Sequence, residues 1–216
     1  MKKVIIVVLL FALPIVAYLF FASGVHNFAK LPVVNEKIGS LKSFRDMEGN
    51  QIDFQDKITI LGFYGNDINN VKGYALNLNQ KIYDRYYQFI DFQVVIVVPA
   101  GVQEDIVELK TQLDDISDVS KWKFVFGEPD DIKLLFDSLG TKTELNNNLA
   151  SPYVFIIDKD GKLRGRDDKE YDEPIGYNAG SVAELSDKMN DDVKVILAEY
   201  RLELKKYKGE NKKLDQ

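Results

Sequence analysis

Two apolar runs separated by an amphipathic segment constrain this chain more than any other feature. ITILGFYG (Ile58 to Gly65) and FQVVIVV (Phe92 to Val98) are apolar almost throughout, the mark of strands covered on both faces of a sheet. Between them Val71, Ala75, Leu78, Ile82, Tyr86 and Ile90 recur at three- and four-residue steps, which is one face of a helix. A strand, a helix and a second strand of this kind imply a parallel pair joined by a right-handed crossover.

The rest of the chain continues an α/β pattern. Ile106, Leu109 and Leu113 mark a second helix and KWKFVFG a third strand, and Glu128-Pro129-Asp130-Asp131 opens a short helix with proline near its first turn. PYVFIIDKDGKLRGR reads as an antiparallel hairpin turning at Asp160-Gly161, and KSFRDMEGNQIDF, upstream, as a hairpin turning at Glu48-Gly49-Asn50. Ser181 and Glu184 form a capping box for a long closing helix, whose stripe is Val182, Leu185, Met189, Val193, Ile196, Tyr200 and Leu204.

At the N-terminus, Val4 to Ala22 is a run of 19 residues without a charge, preceded by Lys2 and Lys3. That length crosses a hydrocarbon core as a helix, and its apolar region exceeds that of a signal peptide, although Ala22-Ser23-Gly24 offers small residues suited to cleavage. The expectation is a signal-anchor, residues 1–24, with a tether at 25–37, a domain at 38–205 and a polar charged tail at 206–216. The basic start favours a cytoplasmic N-terminus, which puts the domain on the extracytoplasmic, periplasmic side of a single-pass inner membrane protein.

Composition removes whole classes of chemistry. The chain has no cysteine and one histidine, His26, so thiol nucleophiles, disulfide exchange, iron–sulfur clusters and Cys/His metal sites are excluded. Beyond Lys2 and Lys3 there are 26 basic against 34 acidic residues, and the one basic cluster, Lys205, Lys206, Lys208, Lys212 and Lys213, lies in the polar tail. A nucleic-acid partner is therefore not expected. Asp158-Lys159-Asp160-Gly161 begins like a calcium loop but lacks its later carboxylates, and the acidic run from Asp167 to Glu173 reads as a solvated loop.

The order of these elements resembles the thioredoxin plan, and ILGFYG, KWKFVFGEPDDIKLLF and VFIIDKDGKLRGR together resemble its Sco (SenC) copper-chaperone branch over roughly Phe44 to Arg201. The resemblance implies a thioredoxin-like α/β fold, a central mixed sheet flanked by helices, which would follow the N-terminal transmembrane helix expected from the apolar run. In Sco proteins a C-x-x-x-C motif follows the first strand, and a later histidine completes a copper site. On that alignment Asn66 and Asn70 stand at the cysteine positions and Ala150 at the histidine, so this chain is a degenerate member. The same resemblance places Ser151-Pro152 where thioredoxins carry a cis-proline beside their groove, an expected cis bond whose alternative is an ordinary trans proline starting a strand.

Tyr74, Tyr83 and Tyr87 crowd the first helix and offer a candidate partner surface, since tyrosine joins apolar area to a polar tip. No cofactor, metal or catalytic residue is expected. The resulting reading is a membrane-anchored, non-catalytic envelope protein that binds or assembles an unidentified membrane or envelope partner, linked by family analogy to respiratory oxidase biogenesis. A structural protein with an inherited fold and a cysteine-independent enzyme are the alternatives.

Overall fold

The computed structural model describes residues 12–16, 30–166 and 175–214, with side chains on the last helix described as far as residue 202. The apolar runs form the middle of the sheet: β2 (Ile58–Phe63) and β3 (Phe92–Pro99) are buried at every position. They pair in parallel, with Ile58 opposite Phe92 and Phe63 opposite Val97. Successive side chains leave a strand on opposite faces. Accordingly Ile58, Ile60, Val94, Ile96 and Val98 enter one core, while Leu61, Phe63, Val95 and Val97 enter another. Thr59 and Gln93, opposite each other in this register, satisfy their buried polarity mutually, Gln93 Nε2 donating to Thr59 Oγ1 at 2.9 Å.

The crossover helix α1 covers the first core. It runs through Ile68–Leu78, widens into a π turn at Asn79–Tyr83 and closes at Asp84–Tyr86. After β3 come α2 (Gln103–Asp114), β4 (Trp122–Gly127), parallel to β3, and α3 (Pro129–Asp137), which starts on its proline and covers the second core. β5 (Tyr153–Ile157) returns antiparallel to β2 and turns at Asp158–Gly161 into β6 (Leu163–Arg164). β7 (Tyr177–Asn178) pairs with β5, and α4 closes the fold through Val182–Glu184, a π turn at Leu185–Met189 and Asn190–Leu214. With β1 (Val33–Asn35) at the edge, the main path of the sheet is β1-β6-β5-β2-β3-β4, mixed and covered on both faces. This is the thioredoxin plan.

The β5–β6 turn carries a buried ion pair. Asp158, 1% exposed, receives Arg164 Nη1 at 2.9 Å and the backbone N–H groups of Asp160 and Lys162. Arg164 also reaches Glu199 Oε2 at 2.7 Å and donates from Nε to the Leu31 carbonyl. Every polar atom so withdrawn from water has a partner, the condition under which a buried pair is tolerated.

Several expectations are corrected here. Residues 33–35, assigned to the tether, pair with β6, so the folded unit begins before residue 38. The helix assigned to the end of the chain does not stop at 205, because its backbone continues to Leu214. No hairpin forms at 48–50: Asp46 gathers the backbone N–H groups of Glu48 and Asn50, and Arg45 makes a single bridge to Phe126 instead. Ile90 leaves the helical stripe, since α1 ends at Tyr86, and is 80% exposed. Ser181 Oγ accepts from Glu184 N–H, yet the Glu184 carboxylate turns to Asn178 N–H, so the capping box is half made.

No described helix is long and apolar enough to cross a membrane. The expected anchor at 1–24 and His26 lie outside the described residues, except for the helical stretch 12–16. Residues 167–173 lie outside them as well.

Candidate functional site

Where β2 ends, the chain must turn sharply to start α1, and Gly65 makes that turn at φ +64°. A Cβ at this position would stand 2.0 Å from the Asn148 carbonyl oxygen, so no other residue fits without moving backbone. The same carbonyl accepts from Asn66 N–H at 2.9 Å, and Tyr64 bridges to Ala150. The 146–150 loop is thereby fixed to the strand–helix junction. It is fixed within itself too: Asn146 Oδ1 accepts from the N–H groups of Asn148 and Ala150, and Leu149 adopts φ +62°.

This junction brings together the positions aligned with the Sco ligands. Asn66 precedes the helix and is exposed, Asn70 is exposed in its first turn, and Ala150 is 4% exposed in the loop before β5. Asp67 is the N-cap: its carboxylate accepts from the backbone and side-chain amide of Asn70. The partial positive charge of the helix end, which in a thiol protein would favour a thiolate, is here met by the chain's own carboxylate.

The donor set does not fit copper. Two neutral amides and a methyl group offer neither soft donors nor charge, and Asn70 is committed to Asp67. Among the described residues no three His, Cys, Asp or Glu side chains are grouped to hold a metal ion.

Beside the junction lies a groove of about 680 Å³ lined by Asn66, Pro129, Lys133, Phe136, Asn147 and Leu149 among others. Its lining joins the apolar Phe136, Leu145 and Leu149 to Asn66, Asn146 and Asn147 and to the charged Lys133, Asp137 and Glu144. At the end of β2 Tyr64 is fully buried in the first core, its hydroxyl without a hydrogen-bond partner among the described residues, and burial pushes the phenol well above its usual pKa. Tyr64, Gly65 and Asn146 were not singled out in the sequence. The Asn146-Asn147-Asn148 run after a helix was the available signal, since asparagine favours such turns.

Ser151 and Pro152 do stand beside this site, but the bond between them is trans, since the described residues contain no cis peptide. Ser151 N–H donates to Phe63 O, and the Pro152 carbonyl accepts from Ala179 N–H, so the proline simply opens an edge pairing. The tyrosine surface is also corrected. Tyr83 is fully buried, its hydroxyl donating to the Asp118 carbonyl at 2.6 Å, and Tyr87 stacks on it at 5.7 Å. Tyr74 is half-buried against the same core.

The strand order and this junction define a thioredoxin-like α/β protein. Among solved structures the chain is similar to an Aquifex aeolicus VF5 protein provisionally named for electron transfer, at 16% identity over 78% of this chain and 92% of that one, with a TM-score of 0.50. It is also similar to a SCO1/SenC family lipoprotein from Bacillus anthracis (16% identity, 76% and 95% covered, TM-score 0.48). A third is Arabidopsis thaliana ScoI with copper bound (18% identity, 73% and 98% covered, TM-score 0.45). At 16% identity the likeness to the first of these, with its TM-score of 0.50, speaks to the fold alone. No family model matches the chain, and no curated protein matches it by sequence.

Proposed function

We propose that this chain is a membrane-anchored, non-catalytic Sco/thioredoxin-like envelope protein that binds a partner through the Asn66–Ala150 junction and its groove. The observation that carries the reading is a site whose frame is held rigidly by Gly65, Asn146 and Asn148 while asparagine and alanine stand at the positions aligned with the copper ligands. A frame kept without the family's ligands suits recognition: preorganised backbone lowers the ordering cost of binding, and the groove offers a partner segment apolar, amide and charged side chains together. Oxidase biogenesis is the process to which the sequence resemblance points.

The test is co-purification from detergent-solubilised membranes with the intact anchored chain, comparing wild type with Asn147→Arg. Asn147 is exposed at the groove rim, so the variant should keep its melting temperature and lose the partner. A defined partner retained equally by both proteins would remove the groove from the function. No partner with either would favour an inherited, purely structural fold.

A further inference from the structure

The fold has a second distinctive end. Strands β2 and β3 run in parallel from Ile58 and Phe92 toward the junction, so the loop preceding β3 lies at the opposite end, about 26 Å away for an eight-residue strand. That loop exposes Ile90 (80%) and, less fully, Phe89 (39%), whose ring packs on Tyr86. Two lysines grip its backbone: Lys57 Nζ donates to the Ile90 carbonyl and Lys121 Nζ to the Phe89 carbonyl. Lys57 and burial together lower the pKa of Lys121, as expected of cations sharing one tip, burial being the larger cause. The nearby acids are engaged, Asp91 by Lys159 and Asp118 by its own loop at Ser120 N–H.

Two further features converge on this end. The chain enters the described fold at Lys30, which pairs with Glu199 on α4. α4 itself starts beside the junction, where Ala179 meets Pro152, and passes Phe89 at Arg201 and Leu202. Its backbone then continues as helix to Leu214, about 18 Å beyond the body. That extension contains Lys205, Lys206, Lys208, Lys212 and Lys213 against two acids, Glu203 and Glu210, a basic excess in a chain of net charge −6.

We infer that this end is a lipid-docking face, on which the Phe89–Ile90 tip and the basic extension of α4 rest on the anionic surface of the bilayer that holds the anchor. The inference rests on the anchoring in the functional reading above. An apolar tip ringed by lysines and a juxtamembrane lysine cluster are the two elements that bind anionic interfaces, one by insertion and the other by charge. The consequence is orientation: the Asn66–Ala150 junction points away from the membrane, toward a partner's outer parts.

The full chain is reconstituted into vesicles of phosphatidylcholine alone, or of equal parts phosphatidylcholine and phosphatidylglycerol. Since the protein has no cysteine, Ile90→Cys and Asn66→Cys each supply one attachment point for a fluorophore, read with a lipid-attached quencher. Position 90 should be quenched several-fold more in the anionic vesicles and position 66 in neither. Replacing the five lysines of the extension by glutamine should abolish the difference, each lysine weakening docking about fivefold. Ile90 and Asn66 are exposed, so the cysteine variants leave the core intact, and the melting temperature of the glutamine variant is compared with that of wild type. Flotation separates the two hypotheses. A chain that does not float with either vesicle overturns the anchor and the docking face together. A chain that floats with position 90 unquenched, or with both positions quenched alike, overturns the docking face alone, as does shielding of position 90 that appears only in native membranes and marks a protein partner.

Discussion

Neighbouring residues at the junction should respond to substitution in opposite directions. Gly65 sits where a side chain is forbidden twice, by its positive φ and by the Asn148 carbonyl 2.0 Å from any Cβ. Gly65→Ala should therefore cost at least about 2 kcal/mol in chemical denaturation, more than the left-handed backbone penalty alone. Next to it, Tyr64 buries a hydroxyl without a partner among the described residues. Tyr64→Phe removes that unpaired group and keeps the ring, so it should raise stability by about 1 kcal/mol, or roughly 2–4 °C in melting temperature. A destabilised Phe variant would mean that the hydroxyl has a use in the folded protein.

At the scale of elements, the strands were legible and the helix faces only partly so. β2 and β3 lie where their apolar runs predict, because both faces are buried, and β4, at the end of the sheet path with Lys123 half-buried, lies where KWKFVFG predicts. α1 carries a π turn that the periodicity does not announce, but Asn79, Ile82 and Tyr83, at i, i+3 and i+4, still share the buried face with Leu78 and Tyr86. Tyr83 is misjudged from residue type rather than spacing: its hydroxyl, which suits an interface, is used inside on the Asp118 carbonyl. The junction is less legible still, since the asparagine run signals a turn but not its partner: the loop meets the helix start through a backbone bond from Asn66 to Asn148, positions far apart in sequence. α4 offers a pH test. Burial, and secondarily the Asp158 charge, push Tyr200 up to about 12 from its ordinary value near 10. The folded state thus keeps this proton where the unfolded chain loses it, so its stability contribution is intact below about pH 10 and is lost as pH rises toward 12. Urea midpoints of wild type should fall across that window relative to Tyr200→Phe, and a constant difference would remove the effect.

For the molecule as a whole, the fold class followed from the sequence while the edges of the domain did not. Leu31 and Val33–Asn35 carry too few residues for a periodic signal, yet Leu31 is buried and β1 completes the sheet. Their attachment has a mechanical meaning. Under the proposed anchoring, tension along the chain reaches the described residues first at Lys30, and is borne there by the Lys30–Glu199 pair, the Arg164–Leu31 bond and the short β1–β6 pairing. Two of these contacts converge on Arg164 and its partner Glu199, which also secure the hairpin turn through Asp158. The first element to peel under load would therefore be the edge strand, acting as a fuse that yields before β2 and the junction beyond it are disturbed.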